Sequence, residues 1–371
     1  MRDLIVFGED FGGLPSSTQH LIVRLAKQRK VLWVNSIGLR QPRLARHDLK
    51  RVVAKLLGKS KGGFNSGHTL PDNITVVNLR TIPAPRSYLA RRIAKMMICV
   101  QLLPVIKTLK LDNPILWSSL PTTADLCGSL GESAVVYYCG DDFSSLAGVD
   151  HHVVAQHELK LVEQADLILA ASAQLLTKFP QTKTHYLPHG VDTALFSTPA
   201  ARAKDLPPRR QRIAGFYGSL SNWLDYQLLE RVCRDNPDWQ FVFIGPIELD
   251  YNPLPKLENV HYLGPRPHHL LPCYSQHWDV SLLPFVANKQ ICSCSPLKLL
   301  EYLAAGSRVI STPFPALVPY QQHVDVITNA EQFSLALKRV AIQQPRLGFL
   351  NISNESWDAR TNKLNAMLEA L

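Results

Sequence analysis

Short apolar, β-rich runs recur along the chain at intervals long enough to hold a helix, and this alternation constrains the fold more than any other feature. Leu4–Phe7, Val31–Val34, Ile74–Val77, Ile115–Trp117, Ala134–Tyr138 and Leu167–Ala171 form the series in the first half; Arg212–Tyr217, Gln240–Ile244, Val260–Leu263, Val280–Leu283 and Arg308–Ser311 continue it in the second. Runs without polar alternation suit strands buried on both faces, as in parallel sheets covered by crossover helices. With 371 residues, 46% of them hydrophobic, there is material for two such sheets, each with its own core. Ser197–Gln211 carries Pro199, Pro207 and Pro208 among Ala, Arg and Lys without an apolar period, so it reads as an interdomain linker. The expected organisation is α/β with two doubly wound domains: 1–196, a linker at 197–211, and 212–350. A C-terminal helix at 351–371, with Trp357, Leu364, Met367 and Leu371 at helical spacing, is placed to pack back on the first domain.

The charge is uneven. The formal net charge is +10, yet segment 24–110 holds 19 basic residues against two acids, Asp48 and Asp72, which makes it +17 and leaves −7 for the remainder. A local excess of this size suits nucleic acid, anionic lipid or a diphosphate-bearing substrate, a solvated basic face being the plain alternative. Two basic stretches, Arg40–Gly58 and Tyr88–Ile106, have apolar residues near helical spacing. The uncharged part of the second, Met96–Ile106, falls short of the ~20 residues that span a bilayer, so it suits a membrane surface or a core. Nucleic acid is the weaker partner, because only Trp33, Phe64 and Tyr88 interleave with the basic residues. Met1–Asp10 places acids directly after four apolar residues, unlike a signal peptide; the expectation is a cytoplasmic chain peripherally attached to the inner membrane face.

Seven scattered cysteines without a CxxC pair give neither a disulfide framework nor a zinc site, so no metal and no cofactor are expected. Gly58-Lys59-Ser60 lacks the first glycine of a P-loop, no GxGxxG follows the first strand, and no GxSxG elbow occurs. What does stand out is how the second series ends its strands: Tyr217-Gly218-Ser219, Ile244-Gly245-Pro246, Leu263-Gly264-Pro265-Arg266 and Leu283-Pro284-Phe285. Ligands of open parallel sheets sit beyond the carboxyl ends of the strands, where glycine turns admit them and helix N-termini face anions. Ser295-Pro296-Leu297-Lys298-Leu299-Leu300-Glu301 opens a short helix that Gly306 stops. Its first turn can hold a diphosphate with Lys298 as counter-charge, and Glu301, one turn on, can accept hydrogen bonds from a ribose diol.

Ser295–Gly306 with the strand after it, together with Tyr186-Leu-Pro-His-Gly-Val-Asp192 and Trp278-Asp-Val-Ser-Leu-Leu-Pro284, resembles the nucleotide-sugar-dependent glycosyltransferases with two facing Rossmann-like domains, the GT-B type. Tyr137-Tyr-Cys-Gly-Asp-Asp-Phe143 is similar to the Tyr-Asp-Cys-x-Asp-Asp pattern of a bacterial, family 4-like branch that includes teichuronic-acid-type transferases and is related to the xanthan glucuronosyltransferase. The resemblance implies transfer of a hexosyl or glucuronosyl group from a nucleoside-diphosphate sugar to a surface-polysaccharide or lipid-linked glycan acceptor. It implies a donor site of Gly218, Ser219, Gly245, Arg266, Ser295, Leu297, Lys298 and Glu301, with Glu301 on the ribose. Asp141 and Asp142, just past a strand end, are the candidate catalytic carboxylates; Gly12, Gly13 and His20 lie on the acceptor side. The chain departs from the family pattern at Ser293, where a Glu is usual, at Ser219-Leu-Ser-Asn-Trp223, which lacks the usual Arg or Lys, and at His189, where Asn is commoner. An inactive scaffold of the same fold and a basic nucleic-acid-binding protein are the alternatives.

Overall fold

The computed structural model describes residues 1–13, 16–36, 71–82, 87–143, 151–295, 297–342 and 352–371. The basic stretch Arg40–Gly58 lies outside them. The chain forms two compact units, Met1–Pro188 with Arg360–Leu371, and His189–Ala359.

In the first unit, strands β1 (Leu4–Phe7), β2 (Val31–Val34), β3 (Ile74–Val77), β4 (Ile115–Ser118), β5 (Ala134–Cys139), β6 (Leu167–Ala170) and β7 (Thr184–Tyr186) build one sheet in the order β3-β2-β1-β4-β5-β6-β7. Every pairing is parallel. The second unit repeats the plan with β8 (Arg212–Tyr217), β9 (Trp239–Ile244), β10 (Val260–Gly264), β11 (Val280–Leu283), β12 (Arg308–Ser311) and β13 (Val324–Val326), ordered β10-β9-β8-β11-β12-β13 and again all parallel. All eleven expected strands form within one residue of their expected bounds. The two additions, β7 and β13, are three-residue edge strands. The winding reverses between β1 and β4 and between β8 and β11, which are the switch points where ligands of such sheets collect.

The central strands are buried along their whole length, as in β1, β2, β4, β5 and β6, and each large apolar side chain removed from water contributes about 1.5–3 kcal/mol. Helices of two turns or more among the described residues are α1 (Ser17–Leu25), α2 (Tyr88–Leu109), α3 (His151–Gln164), α4 (Tyr226–Asp235), α5 (Leu297–Ala304), α6 (Ala330–Ile342) and α7 (Trp357–Glu369). Their starts follow from local chemistry: Ser16, Ser87 and Asp225 each accept a hydrogen bond from the backbone N–H three residues on. α2 buries Ala94, Ile98 and Leu102, spaced four apart on one face, and stops at Lys110, whose φ of 48° is left-handed.

One segment departs from the expected domain plan. Segment 197–211 does not run free between domains. The Gln276 side chain bonds the Ala200 N–H and the carbonyls of Phe196 and Thr198, and the Ala203 N–H donates to the Cys273 carbonyl. Its prolines exclude it from helix and ladder, but these bonds hold it along the second unit. The C-terminal helix joins the first unit from Arg360 on. α7 starts in the second unit, where the Trp357 N–H donates to the Val191 carbonyl at 3.1 Å. Its remainder belongs to the first: Arg29, its side chain fully buried, pairs with Glu369 at 3.1 Å and bonds Asn365, and Arg2 donates to the Leu368 carbonyl at 2.8 Å.

Candidate functional sites at the two sheet ends

The end of the second sheet is built around two glycines. Gly218 and Gly245 follow β8 and β9 with φ of 140° and 141°, a backbone region that side chains disfavour. A Cβ on Gly245 would stand 2.0 Å from the Gly218 carbonyl oxygen, and one on Gly218 would stand 2.1 Å from Lys298 Cε. The lysine therefore lies across the Gly218 backbone, and only glycine leaves it room. Ser295 binds the other side of the same helix start: its Oγ accepts from the His189 N–H at 3.2 Å, and its carbonyl accepts from the Leu297 N–H at 3.0 Å. The His-Gly-Val-Asp segment and α5, 106 residues apart from His189 to Ser295, thus meet. Gly306, at φ 69°, donates to the Leu303 carbonyl and ends the helix.

Glu301 is buried, flanked on α5 by buried Leu300 and Tyr302. A carboxylate removed from water needs a partner, and His268 Nε2 lies 2.7 Å from its Oε1. Burial alone would push the imidazole down, but the Glu301 bond and charge outweigh it, with Asp192 adding, so His268 titrates above its ordinary value. Sequence reasoning passed over His268 because its partner is 33 residues away. It opens a three-residue 3-10 turn, His268–Leu270.

The expected donor-site residues do not all join this arrangement. Arg266 has its guanidinium engaged by Asp205 at 2.7 Å and by the Tyr274 hydroxyl at 3.0 Å, an ion pair that ties segment 197–211 to the turn after β10. Ser219 is half-buried beside Gly218. Ser293 is buried at the end of the turn Lys289–Cys292. The Trp278-Asp279 motif is structural: Trp278 covers Gly215, where a Cβ would stand 1.8 Å from the ring, and Asp279 accepts from the Ile213 N–H at 2.7 Å.

At the end of the first sheet, Asp141 and Asp142 part company. Asp142 pairs with Lys178 at 2.9 Å, and the same ammonium pairs with Glu158 at 2.8 Å, which accepts from the buried Tyr137 hydroxyl at 2.7 Å. Asp141 is exposed, and its carboxylate has no hydrogen bond or ion pair among the described residues. Although its surface is open, the surrounding protein raises its carboxyl above the ordinary value, and the charge of Asp142 adds to this. Gly12, with φ 77°, donates to Gln19 Oε1 at 3.1 Å, and Gly13 donates to the Asp10 carbonyl. His20 sits half-buried on the first turn of α1, its carbonyl accepting from Arg24. The structure adds Glu9 to this group. One of its carboxyl oxygens is buried without a hydrogen-bond partner among the described residues, and burial raises its pKa. Its position two residues past a fully buried strand was the available signal.

Among the described residues no group of three or more His, Cys, Asp or Glu could hold a metal ion, and no helix is long and apolar enough to cross a membrane. The outer face of α2 is nonetheless apolar: Tyr88, Leu89, Met96 and Val100 are 76, 67, 61 and 68% exposed, and the helix carries Arg91, Arg92, Lys95 and Lys107 without an acid.

Comparison with known proteins places these sites in context. Residues 211–341 match the family described as glycosyl transferases group 1. A Bacillus subtilis (strain 168) protein described as a teichuronic acid biosynthesis glycosyltransferase, TuaH, is 27% identical over 56% of this chain and 57% of that protein, so the match spans little more than half of the relative. Among solved structures, Anabaena Alr3699/HepE in complex with UDP and glucose superimposes with a TM-score of 0.69 at 12% identity, covering all of both chains. Sucrose-phosphate synthase from Thermosynechococcus elongatus gives 0.68 at 13% identity over 100% of this chain and 99% of that one. The fold is the GT-B fold of two Rossmann-like domains.

Proposed function

We propose that this GT-B chain, whose second unit carries a group 1 glycosyltransferase domain, transfers a sugar from a nucleoside-diphosphate donor to a surface-polysaccharide or lipid-linked glycan at the cytoplasmic face of the membrane. The observation that carries the reading is the convergence of Gly218, Gly245, Lys298, Ser295 and Glu301 at the switch point of the second sheet. The glycines leave space beside backbone N–H groups, Lys298 and the start of α5 supply positive potential for a diphosphate, and Glu301 supplies acceptor oxygens for a ribose diol. Relatives support the donor class: HepE is seen with UDP and with UDP-glucose.

On the first unit Asp141 is the group best suited to take the proton of the acceptor hydroxyl, because Asp142 is occupied by Lys178 and Asp141 is not. Charge developing on the departing nucleoside diphosphate is stabilised by Lys298 and the helix start. No metal or organic cofactor is invoked in this reading. The exposed apolar face of α2 with Arg92, Lys95 and Lys107 supports attachment to an anionic membrane surface, since shallow apolar insertion and about 1 kcal/mol per basic residue act together, while Arg91 is held by Asp125.

Two measurements test the reading. Incubation with UDP-, GDP- and dTDP-sugars and a bacterial membrane extract should release nucleoside diphosphate only when donor and extract are both present. Co-sedimentation should occur with anionic vesicles at low salt, decline as salt screens the charge, and fail for Leu89→Ser/Met96→Ser/Val100→Ser. Release of no diphosphate from any donor overturns the transferase reading; no sedimentation with anionic vesicles overturns the membrane reading.

A further inference from the structure

We propose that His268 is a positioning residue of the donor site: its protonated imidazole holds the Glu301 carboxylate, so that nucleotide-sugar binding takes up a proton. The inference rests on the donor-site reading and adds to it a partner for the ribose-binding acid.

Glu301 occupies a place where a lone carboxylate is costly. It is 3% exposed, and its neighbours along the helix, Leu299, Leu300, Tyr302 and Leu303, are all buried, so α5 is covered all round at this point. His268 Nε2, 2.7 Å from Oε1, is the cationic partner that the structure provides at bonding distance. One bond from His268 leaves the carboxylate with further lone pairs, enough for a diol. The ring itself is held: Phe196 meets it edge-on with centroids 5.5 Å apart. The charged and titratable groups around the pair are Asp192, which caps the turn Thr193–Ser197 and favours the imidazolium, Tyr217 at the end of β8, whose phenol stays neutral through burial, and Lys298 one turn earlier on α5.

Protonation decides the local charge. With His268 protonated, the His268–Glu301 pair is neutral and Lys298 faces the diphosphate alone. Once the imidazole loses its proton it can still donate from Nε2, but a net negative charge remains near a doubly negative ligand. Donor affinity must then fall as pH rises through the His268 titration, and by linkage donor binding must favour the proton. The titration midpoint lies above the ordinary histidine value, because the bond and charge of Glu301 outweigh the effect of burial.

Calorimetry of the full-length protein with UDP-, GDP- and dTDP-glucose identifies the tightest donor, whose diphosphate diester does not titrate between pH 5.5 and 8.5. The expected result is an affinity about three- to tenfold weaker at pH 8.5 than at pH 6, the range for one charge lost several ångströms from a diphosphate in a partly solvated site. Repeating the wild-type titration in buffers of different ionisation enthalpy at several pH values between 6 and 8.5 should show net proton uptake where the affinity falls. His268→Gln keeps an N–H donor but cannot titrate, so its affinity should be flat across the same range. Absence of proton uptake by the wild type, or an unchanged pH slope in His268→Gln, overturns the role of His268 and leaves the donor site standing. If no nucleotide sugar binds at any pH, the donor-site reading falls and this inference with it.

Discussion

The two units place a carboxylate at the end of a parallel sheet, and they treat it in opposite ways. Glu301 is buried, paired with His268 and fixed on a helix; Asp141 is exposed, lies just past a strand and has no side-chain partner among the described residues. A group that must hold a ligand gains from being fixed in advance, since its ordering cost is met by the fold. A group that must accept a proton has to keep its lone pairs open and its pKa within reach of the working pH. Asp142, held by Lys178, shows what Asp141 would be with a partner: an anchor rather than a base.

The contrast is broken most forcefully at Asp141. Asp141→Asn should lower turnover by about 10²–10⁴-fold while donor affinity is kept; equal loss of both in a kinetic and calorimetric comparison would make Asp141 a binding group like Glu301. Next come the glycines of the proposed donor site. Gly245→Ala should cost about 3 kcal/mol of stability, because its methyl meets the Gly218 carbonyl oxygen, a backbone atom that cannot yield. Gly218→Ala should cost less, about 1–2 kcal/mol, because the atom it meets is the far end of a lysine. Chemical denaturation of the two variants gives the order, and a reversed order would remove Lys298 from the Gly218 backbone.

Glu301→Gln should weaken donor binding by about 1.5–3 kcal/mol, as for hydrogen bonds to a charged group, with the fold kept. An unchanged affinity would leave Glu301 as a buried ion pair without a ligand. The smallest effect concerns pH. Burial of the Asp141 carboxyl and, after that, the charge of Asp142 raise its pKa, and a base works only once deprotonated, so activity should rise with pH through the elevated Asp141 value. Asp142→Asn removes the neighbouring charge and should move that acid limb to lower pH by a fraction of a unit; a shift to higher pH would contradict the pairing of the two aspartates.

The same contrast explains what could be read from the sequence. The inner strands were legible because burial on both faces writes an uninterrupted apolar run, as in Leu4–Phe7 and Val280–Leu283. The edge strands were not: Thr184–Tyr186 buries only its first residue and Val324–Val326 only Val324, so neither shows a run or an alternation. Lys298 and Glu301 were legible because a single helix spaces them. His268 was hidden, since its meaning lies in a contact across 33 residues. Arg266 shows the same thing: its place after a glycine turn is local, whereas its ion pair with Asp205, 61 residues away, was not readable from spacing. Local spacing reveals groups that one element carries, and tertiary pairing decides which of them remain available.

The claim on which the rest depends is that the second unit binds a nucleotide sugar. Thermal unfolding of the wild type and of Glu301→Gln, each with UDP-, GDP- and dTDP-sugars at millimolar concentration, tests it directly, because a ligand that binds only the native state raises the melting temperature. The account predicts that at least one donor raises the wild-type midpoint and that the same donor raises that of Glu301→Gln by clearly less. A wild-type midpoint unmoved by every donor, or an equal rise in both proteins, would contradict it.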